Sequence, residues 1–242
     1  MTLVGTAEVF AALHATWPAA TETVVDGWII RDGAGAGKRA SAASLVDDGA
    51  GIAVAEQAQL GMGQAPLFMI QDTENSEPLD RELAARGYSV VDPTLIYACD
   101  IDLVAPRTLP TAMCYAIWDP VHVMHEIWHA GGVGPARIDL MHRVAGAKTG
   151  ILARSGDTAC GTAFVGVHEG IAMVHAVEVL EQHRRQGVAK LVMAQAAHWG
   201  RANGAKTLAL AVTRANLGAN ALYADLGMTQ VGAYHYRKKD TP

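Results

Sequence analysis

The chain has 242 residues, 50% of them hydrophobic, so it is long and apolar enough to bury one large core or two small ones. Its formal net charge of −5 argues against a nucleic-acid partner, because proteins that bind the phosphate backbone present basic surfaces. No apolar run approaches the length of a membrane span, and the N-terminus lacks the basic start and apolar core of a signal peptide. We therefore expect a globular protein that binds neither nucleic acid nor membrane.

The three cysteines, Cys99, Cys114 and Cys160, are widely spaced and odd in number. A secreted disulfide framework normally uses an even number of cysteines, so this set indicates reduced thiols and a cytoplasmic location. We interpret all three as small buried hydrophobic side chains.

The first half of the chain alternates helical and extended patterns. Helices are predicted over residues 6–14, 52–60 and 77–86, and strands over 23–31, 39–47, 66–71 and 88–100. The Gly-rich link between the first two strands, residues 32–38, invites comparison with a nucleotide-binding loop. A Walker A loop needs Gly where Asp32 stands and Ser or Thr where Arg39 stands, so we interpret the link as a mobile hairpin loop.

The second half begins after a stretch that contains two prolines. Residues 104–110 include Pro106 and Pro110 and form the predicted linker. Beyond it, strands are predicted over 112–118, 148–154, 158–167, 171–179 and 206–212, and helices over 121–129, 135–143, 188–203 and 216–227.

One motif in the second half indicates a different chemistry. Residues 125–129 read His-Glu-Ile-Trp-His, the H-E-x-x-H pattern of zinc proteases. On a helix, His125 and His129 share one face, and Glu126 beside them would activate a zinc-bound water. No clear third ligand follows, so we expect no metal site. We instead place this helix at the mouth of an acceptor site, with His125 and Trp128 as candidate substrate contacts; the alternative is a surface helix with a buried tryptophan.

The stretch from residue 171 to residue 228 carries the most specific pattern. An apolar, Val-rich run over 171–179 predicts a buried strand, after which the turn Arg184-Arg185-Gln186-Gly187-Val188-Ala189 opens a helix. A helix start presents unpaired backbone N–H groups and the positive end of the helix dipole. Because Gly187 and Ala189 carry little or no side chain, a pyrophosphate can approach that backbone closely.

This order of parts resembles the GNAT superfamily of acetyl-CoA-dependent N-acetyltransferases. The matching features are the R-x-x-G-x-A turn at 184–189 and an N-x-x-A-x-x-L-Y-x-x-L-G helix at 216–227. The resemblance implies a GNAT fold, an α/β fold with a mixed sheet, and acetyl-CoA as the co-substrate. The cofactor-binding residues that it implies are Val177, Glu178, Val179, Arg184, Arg185, Gln186, Gly187, Val188, Ala189, Lys190, Asn216, Ala219 and Tyr223.

The first half repeats the end of the chain in outline. Leu-Ala-Ala-Arg-Gly-Tyr at 83–88 parallels Tyr-Ala-Asp-Leu-Gly-Met at 223–228, and no phosphate-binding turn precedes the helix at 52–60. Leu83 therefore stands where Tyr223 stands. We predict two GNAT-like units: a degenerate one over residues 1–105, and an acetyltransferase domain over 106–242 that has the only CoA site. The alternative is an unrelated α/β cap domain in the first half.

The chemistry that the resemblance implies needs an oxyanion site, an acid and a base. Backbone N–H groups near 177–179 would meet the thioester oxygen, if that strand splays from the next one as it does in the family. Tyr223 would protonate the leaving thiolate, since a reference pKa of ~10 keeps a tyrosine protonated at neutral pH; the alternative is a core tyrosine. Asn216 either caps its helix or contacts the CoA arm.

His175 is the first candidate for the general base, because a histidine with a reference pKa of ~6.5 can accept a proton near neutrality. The alternative is a buried structural histidine. Glu178 is the second candidate. In a regular strand its side chain faces away from that of His175, although a bulge would redirect it.

These observations favour an N-acetyltransferase that moves an acetyl group from acetyl-CoA to a primary amine by direct attack in a ternary complex. A non-catalytic acyl-CoA-binding or sensing module is the main alternative, and a zinc hydrolase is a more distant one. The expected partner is a small-molecule or peptide amine, whose identity fold analogy does not reveal. The chain is expected to be a monomer or a homodimer.

Overall fold

The computed structural model describes residues 4–47, 49–105 and 113–239. Its strands are β1 (Thr21–Val25), β2 (Trp28–Asp32), β3 (Ser44–Leu45), β4 (Leu67–Gln71), β5 (Ser89–Asp100), β6 (Cys114–Ile117), β7 (Lys148–Ser155), β8 (Thr158–His168), β9 (Ile171–Val179), β10 (Thr207–Thr213) and β11 (Thr229–Lys238). Its α-helices are α1 (Thr6–Ala15), α2 (Lys38–Ser41), α3 (Ile52–Gly61), α4 (Glu77–Ala85), α5 (His122–Ala130), α6 (Pro135–Arg143), α7 (Val188–Ala202) and α8 (Leu217–Asp225). Short 3₁₀ turns lie at Glu74–Ser76, Ile101–Leu103 and Glu181–His183.

An eight-stranded sheet in the order β4-β11-β5-β10-β9-β8-β7-β6 forms the centre of the protein, and β1, β2 and β3 form a separate three-stranded sheet. Within the large sheet, β9 and β10 run parallel and all other neighbours run antiparallel. The predicted α/β fold with a mixed sheet is therefore confirmed. Within the described residues, no helix combines the length and apolar character that crossing a bilayer requires.

Helices cover both faces of the central strands. Leu208 and Leu210 of β10 pack on the side of α7, whereas Ala209 between them packs on the side of α1. Such two-sided burial explains the near-continuous apolar runs of β9 and β10, since a strand with one solvated face alternates between apolar and polar residues. Cys99 and Cys160 are buried and unpaired, and burial raises the pKa of the Cys99 thiol to about 11, with Asp100 adding to the shift.

The two halves of the chain interlock in the large sheet. Strand β5, from the first half, lies between β10 and β11, and β11 also pairs with β4. The sheet therefore continues across the predicted boundary at residue 105. That boundary stays a prediction, and most of its linker, residues 106–110, lies outside the described residues.

In the segments β4-α4-β5 and β10-α8-β11, the helices α4 and α8 end in the same way. Gly87 and Gly227 both adopt left-handed backbone, with φ of 83° and 77°, as residues just after a helix commonly do. The following residues close equivalent hydrogen bonds, from Tyr88 N–H to Leu83 O at 3.0 Å and from Met228 N–H to Tyr223 O at 3.1 Å. The short sequence parallel between 83–88 and 223–228 thus corresponds to the same local geometry.

Two sequence predictions in the first half are wrong. Residues 23–31 are not one strand but most of the hairpin β1–β2, which turns at Asp26 and Gly27 with φ of 41° and 83°. This two-residue turn needs positive φ at both positions, which Asp-Gly tolerates. Residues 39–47 contain most of the short helix α2 and the two-residue strand β3, so the Gly-rich link is not a hairpin loop.

Candidate active site

The centre of the candidate site is the divergence of β9 from β10. Their parallel pairing ends at Val174 and Leu210, although β9 continues to Val179 and β10 to Thr213. From residue 175 onward, the edge of β9 that faces β10 therefore has no strand partner, and backbone groups along it are open to a ligand. This is the splay that the family resemblance implies.

A bulge in β9 turns two side chains toward one cavity. Phe164 pairs with His175 and Thr162 pairs with Glu178, so a single residue of β8 opposes two residues of β9. Ala176, in the bulge, has a φ of 48°. His175 and Glu178 consequently line the same cavity, which corrects the expectation for a regular strand that they face opposite sides.

Trp128 supports this bulge from α5. Its side chain is fully buried, and its Nε1–H donates to the Ala176 carbonyl oxygen at 2.9 Å. The Trp128 side chain therefore lies in the core, as in the alternative interpretation of a helix with a buried tryptophan. Neither Trp128 nor His125 lines the cavity beside Glu178, and their role as substrate contacts stays a prediction.

The cavity has a volume of about 370 Å³, within the usual range for small-molecule sites. Its charged or titratable lining side chains, tyrosines apart, are Lys38, Arg39, Asp92, Arg137, His175 and Glu178, and its aromatic ones are Trp17, Tyr234 and Tyr236. Several of these residues come from the first half of the chain. Sequence reasoning missed them because only tertiary packing brings the Gly-rich link against β9.

His175 is buried, and both of its ring nitrogens have partners. The Thr16 hydroxyl donates to the Ala12 carbonyl at 2.6 Å, so its oxygen accepts the Nε2–H of His175 at 2.8 Å. Arg39 Nη1, which can only donate, lies 3.3 Å from Nδ1. Burial, followed by the charge of Arg39, holds the pKa of His175 well below its ordinary value. The imidazole is therefore neutral, with its one lone pair directed at a cation.

Glu178 is half-buried and lies against Gly131, at the end of α5. Burial raises the pKa of its carboxyl group, while the charges of Arg184 and Arg137 oppose that rise. No cation lies within ion-pair distance of this carboxylate in the described part of the chain. An unpaired carboxylate with a raised pKa is suited to accept a proton.

Tyr223 is buried at the end of α8, and its ring lies 6.1 Å from that of Tyr97. Burial, with a contribution from the charge of Glu178, raises the pKa of Tyr223 to about 12. The side chain is therefore a neutral phenol near a carboxylate. Its hydroxyl hydrogen-bonds to none of the described residues, so it can donate to a ligand.

The turn before α7 has the backbone that an anion site requires. Gly187 is the residue before the helix and is left-handed, with a φ of 82°, and Arg185 has a φ of 61°. No side chain caps the helix, so its first N–H groups are open. Arg184, Arg185 and Lys190 are exposed beside them, with Arg184 Nε donating to the Val179 carbonyl at 3.1 Å.

Helix α8 begins with a side-chain cap. The Asn216 side-chain oxygen accepts the Ala219 N–H at 3.1 Å, which is the capping geometry that the sequence offered as one alternative.

The H-E-x-x-H residues do not converge on a common point with a third ligand. His129 is exposed, His125 is half-buried, and His122 lies 3.5 Å from Glu126. Across residues 4–47, 49–105 and 113–239, no group of three or more His, Cys, Asp or Glu side chains is arranged to hold a metal ion.

Comparison with known proteins shows which family and which relatives this chain is similar to. Residues 112–228 match the family described as Acetyltransferase (GNAT) family. An uncharacterized N-acetyltransferase, YobR of Bacillus subtilis, is 27% identical over 237 residues, which cover 93% of this chain and 95% of that protein.

Two solved structures share the fold over nearly the whole chain. A GCN5-related N-acetyltransferase from Kribbella flavida has a TM-score of 0.75 at 18% identity, covering 99% of this chain and 97% of its own. A functionally unknown conserved protein from Staphylococcus epidermidis has a TM-score of 0.69 at 12% identity, covering 96% and 98%. The α/β fold described above is therefore a GNAT fold.

Proposed function

From the match of residues 112–228 to the GNAT acetyltransferase family, we propose that this protein moves an acetyl group from acetyl-CoA to a primary amine by direct attack in a ternary complex. One observation carries the proposal. Glu178, a half-buried carboxylate at the point where β9 leaves β10, lies close enough to the Tyr223 phenol for its charge to contribute to the raised pKa of that phenol. Their proximity beside open backbone supports the assignment of Glu178 as the base and Tyr223 as the acid.

The turn before α7 is the proposed site for the pyrophosphate of CoA. The open N–H groups of Val188, Ala189 and Lys190 bind phosphate oxygens, and the side chains of Arg184 and Arg185 add positive charge. The left-handed backbone at Gly187 aims the helix start at the ligand without a side chain in the way. Residues 177–179 of β9 offer backbone N–H groups to the thioester oxygen.

Acetyl-CoA supplies the acetyl group as an activated thioester. Glu178 accepts a proton from the ammonium group of the acceptor, directly or through one water, which frees the nitrogen lone pair for attack on the thioester carbonyl. As the carbon–nitrogen bond forms and the carbon–sulfur bond breaks, Tyr223 donates its proton to the departing sulfur. The nitrogen loses its second proton to water after the attack, and a proton relayed through water from Glu178 to Tyr223 restores both groups. The net products are an acetamide, CoA thiol and one proton released to solvent.

His175 has a different role in this proposal from the one expected of it. Because its Nδ1 lone pair faces Arg39 and its Nε2–H is held by Thr16, the ring has no free site for a substrate proton. We assign it to positioning Arg39 in the cavity wall, and we assign the base to Glu178.

The first half is proposed to be a degenerate GNAT-like unit that packs against the second. Its β4-α4-β5 segment matches β10-α8-β11 in geometry, with Leu83 in place of Tyr223. The helix that stands in the position of α7 is α3, which follows two aspartates, at 47 and 48, instead of arginines. Negative charge there opposes phosphate binding, which supports a single CoA site per chain.

The proposal is tested by thiol release from acetyl-CoA with a panel of primary amines, using the parent protein and Tyr223→Phe. Turnover by the variant should fall roughly 10²–10⁴-fold, the usual contribution of one acid–base group, while the Kd for acetyl-CoA stays unchanged. Tyr97→Phe is the matched control, because its ring packs against Tyr223. If Tyr223→Phe turned over amines at the parental rate, Tyr223 would not be the general acid. Acetyl-CoA binding without turnover of any amine would favour a binding module.

A further inference from the structure

The cavity beside Glu178 contains an arginine without an anionic partner. Arg39 is half-buried and belongs to α2, which follows the Gly-rich link directly. Its Nε donates to the Tyr234 hydroxyl at 3.2 Å and its Nη1 to His175 Nδ1 at 3.3 Å. No carboxylate in the described ranges lies within ion-pair distance of it. The Tyr236 hydroxyl also hydrogen-bonds to the guanidinium, so three of its five N–H donors are used and two remain for a ligand.

Arg39 differs in this respect from two neighbouring cations, Lys38 and Arg31. Lys38 pairs with Asp92 at 2.9 Å, and Arg31 pairs with Glu22 at 2.9 Å. None of the partners of Arg39 is a carboxylate. His175 can only be neutral or positive, Tyr234 contributes a hydroxyl, and burial, with Tyr234, raises the pKa of Tyr236 well above its usual value. Leaving a desolvated charge unpaired costs free energy, which a ligand anion would offset.

The charges around the cavity define that anion further. Among its described lining residues, Lys38, Arg39 and Arg137 are cations, and only Asp92 and Glu178 are anions. The Arg137 Nε donates to the Ala36 carbonyl at 3.2 Å, so it too has a neutral partner. The cavity lining therefore carries one excess positive charge. This excess matches the single negative charge of a carboxylate better than the double negative charge of a phosphate dianion.

We propose that the acceptor is an amine that also bears a carboxylate, in chemical terms an amino acid. Its carboxylate pairs with Arg39, for which the planar guanidinium is the best match among side chains, and its amino group faces Glu178. Arg39 is hydrogen-bonded to His175, and the three residues of chain from His175 to Glu178 span at most about 10 Å when extended. Arg39 and Glu178 therefore lie within reach of the two ends of one small molecule. Trp17 and Tyr234 supply aromatic walls for the remainder. This inference rests on the proposed function of the same site.

The test compares the standard L-amino acids, β-alanine and 4-aminobutyrate with their decarboxylated amines and carboxamides as acceptors. The parent protein should favour the carboxylate form by about 10²-fold in kcat/KM, because a site built to pair with a charged group rejects analogues that lack it. Arg39→Gln should abolish that preference by lowering only the values for carboxylate acceptors. Arg39→Lys, which retains the charge, should retain part of it. Arg81→Gln, at an exposed arginine of α4 that does not line the cavity, is the control and should keep the preference.

Two further measurements make the outcome decisive. Calorimetry with acetyl-CoA shows whether each Arg39 variant is folded, and calorimetry of amino acids against the CoA-loaded parent shows binding without turnover. Equal turnover of amino acids and their decarboxylated amines would overturn this inference and leave the acetyltransferase proposal standing. Amino-acid binding that Arg39→Gln abolishes, with no acetylation of any probe, would support the inference and contradict the acetyltransferase. If no amino acid is bound or acetylated, the inference is wrong.

Discussion

At the residue scale, the position of Glu178 depends on a glycine of another element. A Cβ on Gly131 would overlap the Glu178 carboxyl group, although the backbone φ of −88° suits any residue. We therefore predict that Gly131→Ala displaces the proposed base and lowers amine turnover by about 10²-fold, the effect of a misplacement near 1 Å. Acetyl-CoA affinity should not change.

Gly134 provides the matched control for this substitution. It has a similar φ of −86°, and a Cβ there would meet nothing within 4 Å. Gly134→Ala should therefore turn over amines at the parental rate. Equal effects of the two substitutions would show that Gly131 acts through the stability of the loop and not through Glu178.

The raised pKa of Glu178 gives a second prediction at this scale. A base acts only when deprotonated, so the parental kcat/KM should fall as pH decreases through that raised pKa. The loss of kcat/KM in Glu178→Gln should be largest at pH values above the pKa of Glu178 and below that of the amine. Part of the loss should recover at high pH, where free amine accumulates. His175→Ala should instead give a profile parallel to the parent's, because its imidazole is already neutral. A profile of Glu178→Gln parallel to the parent's would exclude Glu178 as the base.

At the element scale, the start of α7 combines a backbone requirement with an electrostatic one. Gly187 has a φ of 82°, which asparagine and aspartate tolerate better than most residues, and a Cβ there would meet nothing within 4 Å. Asp and Asn at this position have the same shape and differ in charge. Both are good helix caps, and a negative charge at a helix start is stabilising.

We predict that Gly187→Asp raises the melting temperature slightly relative to Gly187→Asn but binds acetyl-CoA much more weakly. The carboxylate would occupy the place of a phosphate and repel the others. Isothermal calorimetry at low and high salt checks this, because the difference between the two variants should shrink as salt screens the charge. Equal Kd values for the two variants would place the pyrophosphate elsewhere.

At the scale of the whole molecule, the interlocked sheet makes the two halves interdependent. Without β5, neither β10 nor β11 has its central neighbour, and the cavity loses Arg39, Trp17 and the Thr16 support of His175. Residues 106–242 expressed alone should therefore be insoluble or inactive toward amines. Coexpression of residues 1–105 should restore a soluble complex. A soluble, fully active 106–242 fragment would contradict the prediction.

Two histidines, the half-buried His14 and the buried His175, make the stability of the whole fold sensitive to acid. Burial lowers the pKa of His14 to about 3, with Arg31 and Arg39 contributing, and burial also lowers that of His175. The unfolded chain titrates near pH ~6.5 and binds more protons below it, so stability should be lost progressively as pH falls from that value toward the folded pKa. Thermal denaturation from pH 7 to pH 5 should show a smaller decline for His14→Gln than for the parent. Exposed His122→Gln, the control, should follow the parent.

The sequence by itself determined most helices and strands of the second half, together with the R-x-x-G-x-A turn at 184–189. The apolar run of β9, the glycine turn and the α8 pattern are local features, because helix starts, caps and buried strands depend on residues within a few positions of one another. The same local reasoning failed at 23–31, where an Asp-Gly turn interrupts what otherwise looks like one continuous strand.

Only the tertiary structure decided how the halves combine and what surrounds Glu178, the proposed base. The bulge that turns Glu178 toward His175 depends on pairing with β8 and on the Trp128 hydrogen bond, neither of which has a signature in the local sequence. Arg39 is 136 residues from His175 along the chain, and no periodicity relates them. The position of β5 between β10 and β11 and the charge of the cavity both arise from contacts between distant segments. The free energies of these contacts depend on burial and geometry in the folded state.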